Sequence, residues 1–186
     1  MIIGLTGGIG TGKSAASKEL KAHGYEIIDA DEIYAELTKP GMPLVKELAD
    51  AFGDVLTEDG ELDRVKLSNI ALGNPLLNTI THKAISAEIE KRLEEYKGKN
   101  VVLDLPLLFE SGYDKRCDEV WSIISTEEDR IKRILERGTN VEEIKRRMKL
   151  QVSDEERIKK SDVVIENYGT REEFIEKIRG LINGRS

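Results

Sequence analysis

A lysine and a serine closing a glycine-rich stretch, Gly7-Gly8-Ile9-Gly10-Thr11-Gly12-Lys13-Ser14, are the residues of this chain most suited to chemistry. They fill every fixed position of the pattern G-x-x-x-x-G-K-S/T, between an apolar run at residues 1–5 and a helical stretch from residue 15 to 22. A loop that wraps phosphate oxygens with its backbone N–H groups needs positive φ and no Cβ in the way, which the four glycines supply. The helix that follows turns its unpaired N–H groups and positive dipole end toward the same anion. Lys13 then offers a point charge to the β- and γ-phosphates, and Ser14 a hydroxyl ligand to Mg²⁺. The expected ligand is a nucleoside triphosphate.

Carboxylates come next. Residues 25–29 read as a second strand, so strand, helix and strand form a βαβ unit with a parallel sheet and a right-handed crossover. Ligands of such sheets lie beyond the carboxyl ends of the strands, where Asp29 and Asp31 arrive. One of the two is expected to cap the next helix and the other to accept a proton or hold Mg²⁺ through water; Asp31, further beyond the strand, is assigned the active role. Residues 101–104 form a third apolar strand ending in Asp104, a candidate for the Mg²⁺ shell. The apolar loop at residues 105–110 is either a wall for a ligand or part of the core. Strands four and five are expected at residues 119–125 and 162–166, and helix caps at Thr126, Ser153 and Thr170.

The elements that must position these residues divide the chain. Residues 1–31, 99–129 and 161–186 read as an α/β nucleotide-binding core with a five-stranded parallel sheet flanked by helices. Residues 32–98 are helical and far longer than a crossover needs, so they read as an inserted unit that either receives an acceptor or merely stabilises the core. Residues 130–160 carry eleven Lys or Arg against six Asp or Glu, a local +5 in a chain of net charge −7. Beside a phosphate-binding loop this segment reads as a basic helical lid.

Composition narrows the partners. The acidic balance argues against general nucleic-acid binding, and no apolar run is long enough to span a bilayer. No signal sequence is visible and Cys117 is the sole cysteine, so a cytoplasmic protein without disulfides or a cysteine-held metal is expected. No obligate protein partner is evident. An Asn-Lys-x-Asp guanine signature and a Ser-Gly-Gly transport signature are both absent. An acceptor-sized insert and an arginine-rich lid instead suit a small-molecule kinase, in which the lid supplies positive charge and excludes water. A non-catalytic ATP-binding regulator is the alternative from another class.

The whole chain resembles the dephospho-CoA kinase family. The resemblance rests on Leu5-Thr6 with the loop, Ile28-Asp29-Ala30-Asp31, Pro40-Gly41, Asp59-Gly60-x-Leu62-Asp63-Arg64, Pro106-Leu107-Leu108-Phe109-Glu110-Ser111-Gly112 and Asp162-Val163-Val164-Ile165-Glu166-Asn167-x-Gly169. It implies a P-loop kinase fold and transfer of the γ-phosphoryl group of ATP, with Mg²⁺, to the 3′-hydroxyl of dephospho-CoA. In that reading Asp31 is the base, Lys13 and Arg137 stabilise the transferring group, and Ser14, water-linked Asp31 and Asp104 serve the metal. ATP contacts fall on Gly8, Gly10, Thr11, Gly12, Ala15 and Asn167, the last near adenine. Thr6, Arg64, His82, Leu108, Phe109 and Glu110 join Asp31 in binding the acceptor. Ala15 stands where many members carry Thr, Lys83 follows His82 in place of Pro, and Gly138 follows Arg137 in place of Asp. A nucleoside monophosphate kinase is the enzyme alternative, although the insert has only Arg64 and Arg92 to grip an acceptor phosphate.

Overall fold

The structure, a computed structural model, describes residues 1–71, 74–136 and 152–185. Apolar strands organise it. β1 (Ile2–Gly7) is buried along nearly its whole length, as a central strand covered on both faces must be. It pairs in parallel with β3 (Val101–Asp104) and β4 (Glu119–Ile124), placing Leu5 opposite Asp104 and Thr6 opposite Ser122. With β2 (Glu26–Asp29) and β5 (Val163–Glu166) at the edges, the five-stranded order is β2-β3-β1-β4-β5. This is the expected α/β fold, a parallel sheet flanked by helices. Parallel strands bring their carboxyl ends to one edge, so the glycine-rich loop, Asp104, Ser125 and Asn167 gather there.

Two helices cover one face. α1 (Lys13–Ala22) turns Ala16 and Leu20 inward, and α8 (Arg171–Asn183) turns Phe174, Ile178 and Ile182 inward, each at helical spacing. They meet Ile3, Leu5, Trp121 and Ile165 of the sheet. Full burial of each such side chain is worth about 1.5–3 kcal/mol, so this layer holds the loop's two flanking elements in place.

Capping fixes where the helices begin. Thr126 accepts from the Asp129 N–H at the start of α6 (Glu127–Leu135), and Ser153 from the Glu156 N–H at the start of α7 (Asp154–Lys160). At α8, Thr170 and Glu173 form a reciprocal capping box. All three caps are those expected. Residues 137–151 of the expected basic helical lid lie outside the described residues.

The chain divides into two compact units, Met1–Ile28 with Tyr96–Ser186, and Asp29–Glu95. The second contains α2 (Ala30–Leu37), α3 (Pro43–Phe52), α4 (Arg64–Ile70) and α5 (Pro75–Glu95). Leu44, Leu48, Val55, Leu62, Leu67 and Ile80 form its own core, beside an antiparallel bridge between Leu56 and Leu62 that no strand pattern announced. Among the described residues, no helix is long and apolar enough to cross a membrane.

Candidate active site

The glycine-rich loop takes the shape its composition demands. Gly10 and Gly12 have φ of 81° and 107°, in the left-handed region. Gly12 is the N-cap of α1 and has no side chain to donate or accept, whereas Asp29, Asp63, Thr126, Ser153 and Thr170 cap α2, α4, α6, α7 and α8 with side-chain oxygens. The first-turn N–H groups of α1 are thereby left without a side-chain cap, the arrangement an anion-binding helix start requires. Thr11 is fully buried and closes the turn, its N–H and hydroxyl both donating to the Gly8 carbonyl at 3.2 and 2.9 Å.

Three side chains hold successive loop carbonyls. Arg130 Nε donates to the Ile9 carbonyl at 2.9 Å, Arg133 Nη1 to the Gly10 carbonyl at 3.3 Å, and Asn167 Nδ2 to the Thr11 carbonyl at 2.7 Å. In a trans peptide the N–H points opposite its carbonyl, so fixing the Ile9 and Thr11 carbonyls turns the Gly10 and Gly12 N–H groups the other way. The clamp is cross-braced. Arg133 also donates to Ser125 Oγ at 2.9 Å and to the Asn167 carbonyl at 3.1 Å, which accepts from Ser125 Oγ at 2.8 Å. Arg130 lies so close over Gly8 that a Cβ there would collide with its guanidinium. Burial pushes the Arg130 guanidinium below its ordinary pKa, Asp154 opposing the shift and Arg157 adding to it.

Lys13 opens α1 with its ammonium paired to Asp104, which is 1% exposed at the end of β3. An ammonium has three donors, so this pairing directs the charge while leaving it donors for phosphate. Ser14 is exposed in the first helical turn. Among the described residues no three His, Cys, Asp or Glu side chains converge as a metal cage. The available donors, a serine hydroxyl and aspartate oxygens, nonetheless fit a hard cation that keeps phosphate and water among its ligands.

Other expected site residues separate into groups. Asp29 is the cap of α2, its Oδ1 accepting from the Asp31 and Glu32 N–H groups at 2.7 and 3.2 Å. Asp31 is exposed in the first turn, and its carboxylate makes no hydrogen bond or ion pair among the described residues. Arg64 stacks 5.4 Å over the Tyr34 ring and donates to Thr38 Oγ1 at 3.4 Å; His82 is exposed on α5. Leu108 is fully buried and lies against β1 at Gly4, so it serves the core, one of the two readings open for that loop. Leu107 is exposed, Phe109 is half-buried under Lys160, and Glu110 accepts from the Val152 N–H at 3.0 Å. Thr6 is buried at the end of β1, its hydroxyl without a partner among the described residues, and Ala15 packs against the sheet core. Arg137 lies outside the described residues.

Arg130, Arg133 and Ser125 were not among the expected site residues. Their signal was present in the i, i+3 spacing of two arginines one turn after β4, on a helix starting at the loop's edge of the sheet. Asn167 is 6% exposed, and its side-chain amide braces the loop. Burial first, then Asp114, Asp118 and Asp162, push the Cys117 thiol up to about 12, and it donates to the Tyr113 carbonyl at 3.3 Å.

Comparison with known proteins places the chain in a family. A family model described as dephospho-CoA kinase matches residues 1–173. The dephospho-CoA kinase of Carboxydothermus hydrogenoformans is 42% identical over 190 residues, covering 97% of this chain and 92% of the relative. That of Corynebacterium glutamicum is 41% identical over 189 residues, covering 97% and 94%. Among solved structures, the dephospho-CoA kinase of Campylobacter jejuni superposes with a TM-score of 0.73 at 28% identity, covering 100% of this chain and 96% of that one. A phosphate loop clamped from outside, a lysine tied to a buried aspartate, and whole-chain similarity of this extent lead to one conclusion: the chain belongs to the dephospho-CoA kinase family.

Proposed function

We infer that this protein transfers the γ-phosphoryl group of ATP to dephospho-CoA, giving coenzyme A and ADP. Family membership supports the reaction and both substrates. The observation that carries the mechanism is the clamped loop, with Lys13 at its end. Inward N–H groups and the uncapped start of α1 hold the β- and γ-phosphates, and the Lys13 ammonium follows the charge that builds on the γ-phosphoryl oxygens. Ser14 and Asp104 are the residues that would hold Mg²⁺, which would supply charge neutralisation to the triphosphate. Asp31, whose carboxylate has no structural duty, takes the proton of the acceptor's 3′-hydroxyl as the oxygen attacks phosphorus. Asp29 is committed to capping α2. Arg64, steadied by Tyr34 and Thr38, is the proposed insert contact for an anionic group of dephospho-CoA.

The acceptor distinguishes this reading from a nucleoside monophosphate kinase. ADP release from Mg-ATP is followed by a coupled assay with dephospho-CoA, AMP, CMP or no acceptor. Release that depends on dephospho-CoA and exceeds the others by at least about 100-fold is expected, since a polar site rejects ligands that leave its groups unpaired. Equal turnover of AMP or CMP would overturn the assignment of the acceptor.

A further inference from the structure

Within the basic stretch expected to cover the triphosphate, Arg157 behaves differently from a solvated or ligand-facing residue. It is 1% exposed, in a chain segment where neighbouring Lys159 and Lys160 are exposed. Its Nη1 donates to Asp154 Oδ1 at 3.1 Å, while Nε and Nη2 have no partner among the described residues. A buried guanidinium is costly unless it is paired, and among the described residues Asp154 is the group that pairs with Arg157.

Its partner among the described residues leads back to the phosphate loop. The second oxygen of Asp154, Oδ2, faces Arg130 Nη1 at 3.4 Å. Arg130 Nε in turn holds the Ile9 carbonyl at 2.9 Å, and the same guanidinium covers Gly8. One carboxylate thus stands between two buried guanidinium groups, which would otherwise repel.

We propose that Arg157 is a positioning residue for the nucleotide loop, acting through Asp154 on Arg130 and through Arg130 on the Ile9 carbonyl. The proposal rests on the reading that this loop binds ATP. Asp154 opens α7 and its side chain is 28% exposed, so without Arg157 it can turn to solvent and release Arg130. Without Asp154, the two arginines push apart, with the same result. In both cases the Ile9 carbonyl loses the Arg130 Nε bond and the Gly10 N–H is less firmly fixed toward the phosphates. The acceptor is not held by this chain of contacts.

The test is calorimetric titration with ADP, together with steady-state kinetics and melting temperatures, on wild type, Arg130→Met, Arg157→Met, the double variant, Asp154→Asn and Arg157→Lys. Arg157→Met is expected to weaken ADP binding about tenfold while KM for dephospho-CoA stays within about twofold. The double variant should bind ADP no more weakly than Arg130→Met alone, because both residues act along one path. Asp154→Asn should reproduce the loss, and Arg157→Lys should recover part of it through its remaining donor. A purely structural Arg157 would lower the melting temperature and leave ADP affinity within about twofold of wild type, which overturns the proposal. Additive losses in the double variant overturn it equally. If Arg157→Met does not fold, Asp154→Asn alone and with Arg130→Met makes the same comparison. Failure of the wild type to bind ADP would be a different result, refuting the nucleotide reading beneath the proposal.

Discussion

Lys13→Met should lower turnover by about 10³-fold, with ADP affinity reduced much less, because the lysine acts on charge that develops as the phosphoryl group leaves. The methylene stem is retained, so the first turn of α1 and its packing are preserved and only the ammonium is lost. The loop's inward N–H groups and the helix N-terminus still hold the β-phosphate. What disappears is a mobile cation, aligned by Asp104, that can follow the γ-phosphoryl oxygens through the transition state. Lys13→Arg should not rescue turnover: a bulkier planar fork suits a carboxylate pair and does not reproduce a compact ammonium beside the tightly turned loop. The measurement is initial rate at saturating Mg-ATP and dephospho-CoA, with ADP titration and a melting curve. Turnover within tenfold of wild type would remove Lys13 from the chemistry.

Asp31→Asn should lower turnover by about 100-fold or more while ATP affinity stays within a few-fold, the pattern of a lost general base. The comparison that gives this weight is Asp29→Asn. Asp29 accepts two backbone N–H groups at the start of α2, and asparagine caps a helix as well as aspartate does, so that variant should turn over nearly as wild type. The two substitutions remove the same charge two residues apart, so a general electrostatic effect on the site predicts similar losses. A base at Asp31 predicts losses confined to Asp31. Comparable kcat for the two variants would contradict the assignment.

Much of this was legible from local pattern. The loop's glycines, lysine and serine stand in unbroken order, and Thr126, Ser153 and Thr170 announce their helices because a cap needs only its own first turn. Asp29 could be assigned to the cap of α2 because it stands at the strand's end, immediately before the helix. The clamp was legible only as two arginines spaced i, i+3 after β4 and an asparagine after β5; which carbonyls they hold was not, since Arg130, Arg133 and Asn167 meet the loop across 121, 123 and 156 residues of sequence. The charge run at residues 130–160 was expected to face the triphosphate as a cover. Within its described part, Arg130 and Arg157 lie 7% and 1% exposed, one against the Ile9 carbonyl and the other against Asp154, while residues 137–151 lie outside the described residues. Charge counting does not distinguish a solvated guanidinium from a buried one. Leu108 shows the same limit for apolar residues: a wall and a core side chain share one composition, and only the packing at Gly4 separates them.

The position of the transferred phosphate tests the central claim most directly. The full chain is incubated with Mg-ATP and dephospho-CoA, and the product is resolved by mass and by phosphorus NMR against authentic coenzyme A. A kinase that uses Lys13 on the γ-phosphoryl group and Asp31 on the acceptor hydroxyl yields one product, phosphorylated at the ribose 3′-oxygen, with one ADP per coenzyme A. Release of inorganic phosphate without that product, or a phosphate at another oxygen, would contradict the account.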